Sequence, residues 1–451
     1  MTETNLQPPH VTISTIANYA DQRVTLKGWL YNQRGSGKLL FLHIRDGSGF
    51  IQGILAKADV SEEMFEEAKK LGQEASIIVS GVVKQEPRAP YCGYELHLDE
   101  VKLVAESHNY PIAKKAHGDA FLMDHRHLWL RSRRQHAILR IRATIIKAAR
   151  DYLDSHGFLL VDSPIFTPNA CEGTSTLFET KWFDDSKAFL SQSGQLYQEA
   201  AAMAFGKTYC FGPTFRAEKS KTRRHLNEFW MVEPEAAYMD LEGDINLAED
   251  FLCFIVEQVL NKHEHELTEV LERDIAPLKK IQKPFVRLSY CDAVKMIREI
   301  QTQTQDTDLK NLLDIQWGMD FGSPHETELT KRFEKPVVVH GFPAAVKAFY
   351  MKKDEQNPSI ARCMDILAPE GYGEIIGGGQ REDNLDLLMK EIERHKLNQA
   401  DFEWFLDLRR YGSVPHAGFG LGIERTVAWL CGLHHVRETI PFARTLDRLY
   451  P

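Results

Sequence analysis

The sequence has little cysteine and no long apolar stretch. Its seven cysteines form no C-x-x-C pair and no other paired spacing, which argues against a zinc centre and predicts reduced thiols. No apolar run approaches the roughly 20 residues that a membrane-spanning helix needs. The first ten residues, MTETNLQPPH, lack the basic start and apolar core of an export signal. We therefore expect a cytoplasmic protein that does not associate with a membrane.

Net positive charge and a phosphate-binding loop are also missing. The formal charge of −9 argues against general affinity for nucleic acids, although a local basic surface can still bind a polyanion. The segment RHLWLRSRRQH offers either such a surface or the start of a solvated helix. The loop pattern G-x-x-x-x-G-K-[ST] comes nearest at Gly206-Lys207-Thr208, where Ala201 replaces the first glycine. Nucleotide binding must therefore use other residues.

Two apolar strands, TYCFGPTFRA and EFWMVEPEAAY, are joined by a charged loop from residue 219 to residue 227. The inner edge carries Arg216, whose planar fork of donors suits a phosphate, and Glu218, whose carboxylate can accept from an amine or hold a metal. Phe229 supplies an aromatic face for a base. The alternative is a surface hairpin with ion pairs.

A second segment, GFGLGIERTVAWL, combines Gly418, Gly420 and Gly422 with Arg425. By themselves the glycines are equally typical of a tight turn from a strand into a helix. Because each of the two segments offers an arginine to a phosphate, together they indicate ATP chemistry without a phosphate-binding loop.

Short apolar strands alternate between residues 24 and 104, with one helical stretch, SEEMFEEAKKLG, between the third and the fourth. The order β-β-β-α-β-β predicts a five-stranded barrel of the oligonucleotide-binding (OB) kind. On such a barrel aromatic side chains stack on unpaired bases and cations contact phosphates, which makes Phe41 and Arg34 candidates. Core packing and a solvated surface are the alternatives for these two residues.

The order of Arg216, Glu218, Arg224-His225 and Glu228-Phe229, followed by the glycines and Arg425, resembles motifs 2 and 3 of the class II aminoacyl-tRNA synthetases. In that family the motif 2 arginine holds the α-phosphate of ATP and the amino-acid carboxylate, the aromatic residue stacks on adenine, and the motif 3 arginine holds the γ-phosphate. The resemblance implies these roles for Arg216, Phe229 and Arg425, with Glu218, Arg224 and His225 completing the ATP site. Attack of a carboxylate on the α-phosphorus depends on positioning and charge neutralisation, so no general base is required.

Together with the barrel, these motifs resemble the aspartyl and asparaginyl branch of class IIb over nearly the whole chain. The resemblance implies an α+β protein with an OB-fold anticodon-binding domain at 1–105, in which Phe41 stacks on an anticodon base. A connector at 106–130 precedes a class II catalytic domain at 131–451, whose antiparallel sheet is flanked by helices and which has a helical insertion near 240–335. The helix RRQHAILRIRATIIKAARDYLDSHGF and the strand FLLVDSPIF resemble motif 1, the dimer interface, which implies a homodimer.

The resemblance also implies an amino-acid pocket and a magnesium site. The pocket residues are Glu172, Ser193, Gln195, Gln198, Glu199, Glu233 and Arg381. Asp365 and Glu374 resemble the acidic pair that holds Mg²⁺ at the triphosphate, in keeping with the preference of Mg²⁺ for oxygen ligands. Acidic residues without a metal remain the alternative for this pair.

The segment SGQLYQE bears on which amino acid is used, because aspartyl enzymes of this branch carry S-P-Q-L-x-K and the lysine is absent here. A buried carboxylate without a cationic partner costs several kcal/mol, whereas an amide needs only hydrogen bonds. Gln198 and Glu199 therefore favour L-asparagine, with Glu199 accepting from the amide nitrogen. We expect ATP-dependent ligation of L-asparagine to tRNA(Asn) through an asparaginyl-adenylate. Three alternatives stay open: an aspartate–tRNA ligase, an amide-forming synthetase that uses no tRNA, and an RNA-binding barrel protein that does no chemistry.

Overall fold

A computed structural model describes residues 8–168, 177–183 and 186–451. The chain divides into two compact units, Met1–Gly118 and Asp119–Pro451. Glu172, which the resemblance assigns to the amino-acid pocket, lies outside the described residues.

The first unit contains the predicted barrel. Its strands are β1 (Arg23–Ser36), β2 (Leu39–Arg45), β3 (Phe50–Ala56), β4 (Ser76–Gln85) and β5 (Tyr94–Ala105). They close in the order β1-β2-β3-β5-β4, and the helix α1 (Glu62–Lys70) follows β3. The expected order of five strands and one helix is confirmed.

Local sequence explains these elements. Along β2, Leu40, Leu42 and Ile44 alternate with less buried residues, as the period of a strand with one face in the core requires. The helix α1 begins after Ser61, whose hydroxyl accepts a hydrogen bond from the backbone N–H of Met64 at 3.2 Å. The barrel thus has a single apolar interior, with β2 alternating between core and surface.

The second unit is built on a large sheet. Its strands are β6 (Leu159–Leu160), β7 (Phe166–Thr167), β8 (Glu179–Lys181), β9 (Lys187–Leu190), β10 (Lys207–Phe215), β11 (Glu228–Ala237), β12 (Val286–Ser289), β13 (Val337–His340), β14 (Cys363–Ala368), β15 (Gly373–Gln380) and β16 (His416–Gly422). Within the described residues, eight of them form one sheet in the order β12-β13-β14-β15-β16-β11-β10-β6, and β7-β9-β8 form a small second sheet. The pairs β12–β13 and β10–β6 are parallel and the remaining pairs of the large sheet are antiparallel.

Helices cover this sheet. They are α2 (Asp119–Asp124), α3 (Arg126–Trp129), α4 (Arg133–Ser155), α5 (Gln195–Phe205), α6 (Leu241–His265), α7 (Tyr290–Gln303), α8 (Thr307–Leu312), α9 (Ser323–Thr330), α10 (Leu385–Arg394), α11 (Glu403–Arg410) and α12 (Ile423–Cys431). The apolar faces of α4 and α6 share one core with residues of β11, β14, β15 and β16. This mixed architecture confirms the predicted α+β class. In the described ranges, no helix combines the length and the apolar character that crossing a membrane requires.

Three local features differ from the sequence-based expectation. The segment FLLVDSPIF is not one strand, because β6 and β7 are separate and Pro164, which has no N–H to donate to a ladder, lies between them. The segment near 240–335 also supplies β12, which joins the large sheet. Arg126 does not form a basic surface: it is 1% exposed, and its guanidinium donates to the carbonyl oxygens of Pro441 and Ile440 at 2.8 and 2.9 Å.

Candidate active site

Two neighbouring cavities are lined by residues of β11, β15 and β16. The first, of about 400 Å³, is lined by Arg216, Glu218, Ser220, Arg224, His225, Leu226, Phe229, Met231, Glu374, Ile375, Gly420, Gly422, Glu424, Arg425 and Val436. The second, of about 330 Å³, includes Ser193, Gln195, Arg216, Glu218, Glu233, Asp320, Glu326, Lys347, Tyr350, Asp365, Glu374, Gly377, Gly378 and Arg381 in its lining. Most of the residues singled out in the sequence therefore come together, although they are spread over more than 200 positions of the chain.

Arg216 lies on the wall that the two cavities share. It follows the last residue of β10, and its backbone N–H donates to the carbonyl oxygen of Asn227 at 3.0 Å, while Asn227 Nδ2 donates back to the carbonyl oxygen of Arg216 at 2.8 Å. The guanidinium carbon of Arg216 lies 5.4 Å from the ring centroid of Phe229. The hairpin predicted from the sequence thus fixes a cation and an aromatic ring side by side.

The loop of this hairpin supplies two more residues to the first cavity. Arg224 Nη1 lies 3.0 Å from Glu326 Oε2, and its Nη2 donates to Thr327 Oγ1 at 2.5 Å. Burial lowers the pKa of His225, and the positive charges of Arg425 and Arg216 act in the same direction. His225 therefore faces the cavity as a neutral imidazole at pH 7, and the cations come from the arginines.

Arg425 reaches the first cavity from the first turn of α12. Its Nη1 donates to Glu374 Oε2 and to the carbonyl oxygen of Glu374, both at 3.0 Å. Both side chains of this pair are 36% exposed, so the arginine is accessible from the cavity. A phosphate entering the cavity can therefore reach two arginines, Arg216 and Arg425.

The second cavity has a polar wall around Glu233. This buried carboxylate accepts hydrogen bonds from the hydroxyl of Ser193 and from the backbone N–H of Gly194, the latter at 2.9 Å. On another part of the wall, Arg381 is 3% exposed and donates from Nε to Glu235 Oε1 at 2.9 Å. The cavity thus offers acceptors for an ammonium group beside an arginine that already has a carboxylate partner.

Gln198 and Glu199 do not line either cavity, which differs from the sequence-based expectation. Gln198 Nε2 donates to the carbonyl oxygen of Val161 at 2.7 Å. Glu199 is completely buried and accepts hydrogen bonds from Arg409, His416 and Gln195. Burial disfavours its charged form, but Arg409 and His416 outweigh this and lower the pKa of Glu199 to about 2. Glu199 therefore acts through Gln195: it accepts a hydrogen bond from the Gln195 amide, and Gln195 lines the cavity.

Asp365 and Glu374 lie on the neighbouring strands β14 and β15. A Cβ atom at Gly377 would lie 2.8 Å from Glu374 Oε1 and 3.5 Å from Asp365 Oδ1, so an oxygen of each carboxylate faces the space beside this glycine. Burial and the Glu374 carboxylate raise the pKa of Asp365 to about 6, and they raise that of Glu326 to about 7. Two carboxylates that face the same space, as those of Asp365 and Glu374 do beside Gly377, fit Mg²⁺, whose remaining ligands are phosphate oxygens and water. Among the described residues, no group of three or more His, Cys, Asp or Glu side chains is placed to hold a metal by itself.

Several lining residues have no motif that would reveal them in the sequence. Lys347 contacts Asp365, Glu326 reaches the cavity from α9, and Tyr350 lies 5.5 Å from the guanidinium of Arg381. These residues come from segments that are separate in the sequence, and the folding of the chain into the large sheet brings the segments to the cavity. The lysine in PAAVKAFY stands close in the chain to aromatic residues, but this spacing alone indicates no chemistry.

In the barrel the two candidate residues contact each other. The guanidinium carbon of Arg34 lies 4.9 Å from the ring centroid of Phe41, across the antiparallel pair of β1 and β2. Both side chains are at least partly exposed. An aromatic face and a cation are therefore available together on the barrel surface.

The sequence model of the tRNA synthetases class II (D, K and N) matches residues 119–446. The chain belongs to this family. A second sequence model, that of the OB-fold nucleic acid binding domain, matches residues 24–104. The class II membership and the OB-fold both confirm the resemblance inferred from motifs 2 and 3 and from the strand pattern.

Full-length relatives of this class II chain are named asparagine–tRNA ligases. The protein of Sorangium cellulosum is 57% identical, with 98% of this chain and 99% of the relative covered. That of Koribacter versatilis is 55% identical, with 99% of this chain and 100% of the relative covered. The crystal structure of asparaginyl-tRNA synthetase from Pyrococcus horikoshii complexed with asparaginyl-adenylate is similar at a TM-score of 0.91 and 43% identity, covering 98% of this chain and 99% of that one.

Proposed function

We propose that this class II synthetase ligates L-asparagine to tRNA(Asn) with ATP. The observation that carries the proposal is the position of Arg216 on the wall between the two cavities, where one cation can contact both an amino-acid carboxylate and the α-phosphate. Relatives that are similar over nearly the full length of the chain are named asparagine–tRNA ligase, which supports the same activity.

The reaction has two steps. A carboxylate oxygen of asparagine attacks the α-phosphorus of ATP, the bond from that phosphorus to the bridging oxygen breaks, and pyrophosphate leaves. A terminal ribose hydroxyl of tRNA then attacks the carbonyl carbon of the adenylate, and AMP leaves. Arg216 neutralises charge that builds up at the α-phosphate, and Arg425 neutralises the γ-phosphate. Phe229 stacks on adenine, while Glu218, Arg224 and His225 complete the ATP site.

The charge balance of the second cavity supports asparagine over aspartate. Arg381 and Lys347 line this cavity, and each already has a carboxylate partner, Glu235 and Asp365 respectively. A side-chain carboxylate entering the cavity would therefore have to compete with Glu235 and Asp365 for cations that are already paired. An amide needs only hydrogen bonds. Ser193, Gln195 and Glu233 would hold the ammonium group of the substrate, and Arg381 would contact its side-chain carbonyl.

Mg²⁺ belongs to the proposal as a partner of ATP. Asp365 and Glu374 would hold it, and when bound it neutralises the charge of the phosphates. Mg²⁺ usually keeps several waters and is bound by one or two carboxylates together with the phosphates of a nucleotide. An acidic pair beside the cavity assigned to ATP fits this pattern.

Recognition of tRNA and assembly complete the proposal. Phe41 and Arg34 would contact the anticodon through stacking and phosphate neutralisation. We also propose a homodimer, which is supported by the exposed apolar side chains of Leu159, Phe166 and Trp182 in and beside the predicted motif 1. A stable monomer at micromolar concentration in sedimentation would contradict the dimer. A role in aminoacylation of tRNA supports a cytoplasmic location.

The test is amino-acid-dependent ATP–pyrophosphate exchange with asparagine or aspartate, in the presence of Mg²⁺ or a chelator. We expect exchange that requires both asparagine and Mg²⁺. Exchange with aspartate alone would move the chain to aspartate ligation, and no exchange with either amino acid would overturn the proposal. Charging of tRNA(Asn) is the matched second measurement, because an amide-forming synthetase would exchange pyrophosphate without charging tRNA.

A further inference from the structure

Lys347 is held against the acidic pair by two contacts. Its Nζ lies 2.8 Å from Asp365 Oδ2, and the two side chains are 16% and 17% exposed. The same Nζ lies 3.8 Å from the ring centroid of Phe342, whose face attracts a cation. The ammonium group is thus fixed on the wall of the second cavity rather than extended into solvent.

The two carboxylates of the pair are arranged alike. Asp365 Oδ2 accepts a hydrogen bond from Lys347, and Asp365 Oδ1 faces the space beside Gly377. Glu374 Oε2 accepts a hydrogen bond from Arg425, and Glu374 Oε1 faces the same space. Each carboxylate therefore has a resident cation on one oxygen, while the other oxygen faces the place where a metal would be shared.

The two resident cations differ in exposure. The side chains of Arg425 and Glu374 are each 36% exposed, so solvent screens this pair more than the Lys347–Asp365 pair. Arg425 also lines the cavity assigned to ATP, where a phosphate can draw it away from Glu374. Lys347 is the cation whose charge acts most directly on a metal ion at the pair.

We propose that Lys347 is a positioning residue that makes metal binding depend on the nucleotide: it orients Asp365 and weakens the affinity of the acidic pair for a free divalent cation. The inference rests on the proposed function, because it concerns the site assigned to Mg²⁺. A divalent cation that arrives without ATP meets two carboxylates that are already neutralised and the positive charge of Lys347 at short range. A cation that arrives with ATP brings phosphate oxygens as ligands and a negative charge that offsets the ammonium.

The test measures metal binding to the full-length protein without nucleotide, by titration with Mn²⁺ as a paramagnetic substitute for Mg²⁺. We expect weak binding to the wild type and at least about tenfold tighter binding to Lys347→Met, because a positive charge next to the site is removed. Lys347→Arg keeps the charge and should bind as weakly as the wild type. Adding Asp365→Asn to Lys347→Met should abolish the gain, which locates the metal at this pair.

The matched control is Lys352→Met. Lys352 forms an ion pair with Asp383 at 2.5 Å, and the two side chains are 14% and 16% exposed, close to the values of the Lys347 pair. Lys352 is not among the residues that line the second cavity, so its loss should leave Mn²⁺ binding unchanged. Thermal unfolding of each variant shows whether it is folded when the titration is made.

Two outcomes would overturn the inference. Mn²⁺ binding to Lys347→Met within twofold of the wild type would show that the lysine does not oppose the metal, and a gain that survives Asp365→Asn would place the metal elsewhere. A failure of the proposed function is distinguishable, because it appears as absent asparagine-dependent exchange in the wild type, whereas the titration uses neither ATP nor asparagine. As a second readout, the tighter Mn²⁺ binding of Lys347→Met relative to the wild type should shrink when the titration is repeated with saturating ATP, because the phosphates offset the ammonium charge.

Discussion

Arg409 and Glu199 form an ion pair that is completely removed from solvent: Arg409 Nη2 lies 2.5 Å from Glu199 Oε2, and both side chains are 0% exposed. His416 Nε2 lies 2.9 Å from the same carboxylate oxygen, and Gln195 contacts the other one. The pair therefore links α11 to the first turns of α5, at the back of the proposed amino-acid pocket.

Breaking this pair should destabilise the protein strongly. In Arg409→Leu the carboxylate of Glu199 stays buried without its main partner, and we expect a loss of about 3–5 kcal/mol in the free energy of unfolding, measured with urea. The neighbouring Arg410→Leu is the control, because its ion pairs with Glu403 and Asp407 are exposed and its loss should leave the urea midpoint unchanged. Equal midpoints for the two variants would contradict the role assigned to the buried pair.

Replacing Arg216 should abolish activation of the amino acid without unfolding the protein. Arg216→Ala removes the cation between the two cavities, and we expect asparagine-dependent ATP–pyrophosphate exchange to fall by about 10²-fold or more. Lys219→Ala, an exposed position in the same hairpin loop, is the control and should keep normal exchange. Near-normal exchange in Arg216→Ala would refute the proposed role.

The barrel and the hairpin could be predicted because their signals are local. Apolar residues alternate along each barrel strand, and Arg216 and Phe229 stand at the two ends of one charged loop, so register and site follow from neighbouring positions. The class II resemblance then added Asp365 and Glu374, which lie on β14 and β15 and have no local pattern that marks them as a metal site.

The remaining differences depend on packing that no local pattern contains. Gln198 and Glu199 follow Gln195 on the same helix, and only the approach of Arg409 and His416 decides that Glu199 points away from the cavity. Lys347 has no motif around it and becomes part of the site because β13 and β14 place Asp365 beside it.

Phe41 in the barrel should matter for tRNA and not for activation. Phe41→Ala removes the ring that Arg34 contacts, and loss of one base stack should raise the KM for tRNA in the charging assay about tenfold. Pyrophosphate exchange measured in the absence of tRNA is the control and should be unchanged. A parallel loss of exchange would show that the variant disturbs the protein more widely.

Gly418 in the motif 3 strand should not tolerate a side chain, whereas Gly212 in β10 should. A Cβ at Gly418 would lie 2.2 Å from the carbonyl oxygen of Pro234 and 2.4 Å from the carboxyl carbon of Glu235, so β16 would have to move away from β11. We expect Gly418→Ala to lower the free energy of unfolding by about 2 kcal/mol or more. Gly212→Ala, also in the large sheet, has no atom within 4 Å of the new Cβ and should change it by less than about 0.5 kcal/mol. Similar losses in both variants would contradict the close approach of the two strands.

His435 should make the protein less stable in mild acid. Burial lowers the pKa of this imidazole from its usual 6.5 to about 4, and the positive charges of Arg437 and His434 act in the same direction. Its Nδ1 accepts a hydrogen bond from the backbone N–H of Arg437 at 3.1 Å, which requires an unprotonated nitrogen. Between about pH 6.5 and about pH 4 the unfolded chain binds more protons at this residue than the folded protein, so the free energy of unfolding falls as the pH is lowered through this window.

The matched variant for this prediction is His435→Asn, which keeps an acceptor for the N–H of Arg437 and does not titrate. Urea unfolding at about pH 7 and about pH 4.5 should show a smaller loss of stability in the variant than in the wild type, because carboxylates elsewhere contribute equally to both. A pH dependence identical in the two proteins would mean that His435 is protonated in the folded state as readily as in the unfolded chain, and that its burial beside Arg437 does not control the acid response.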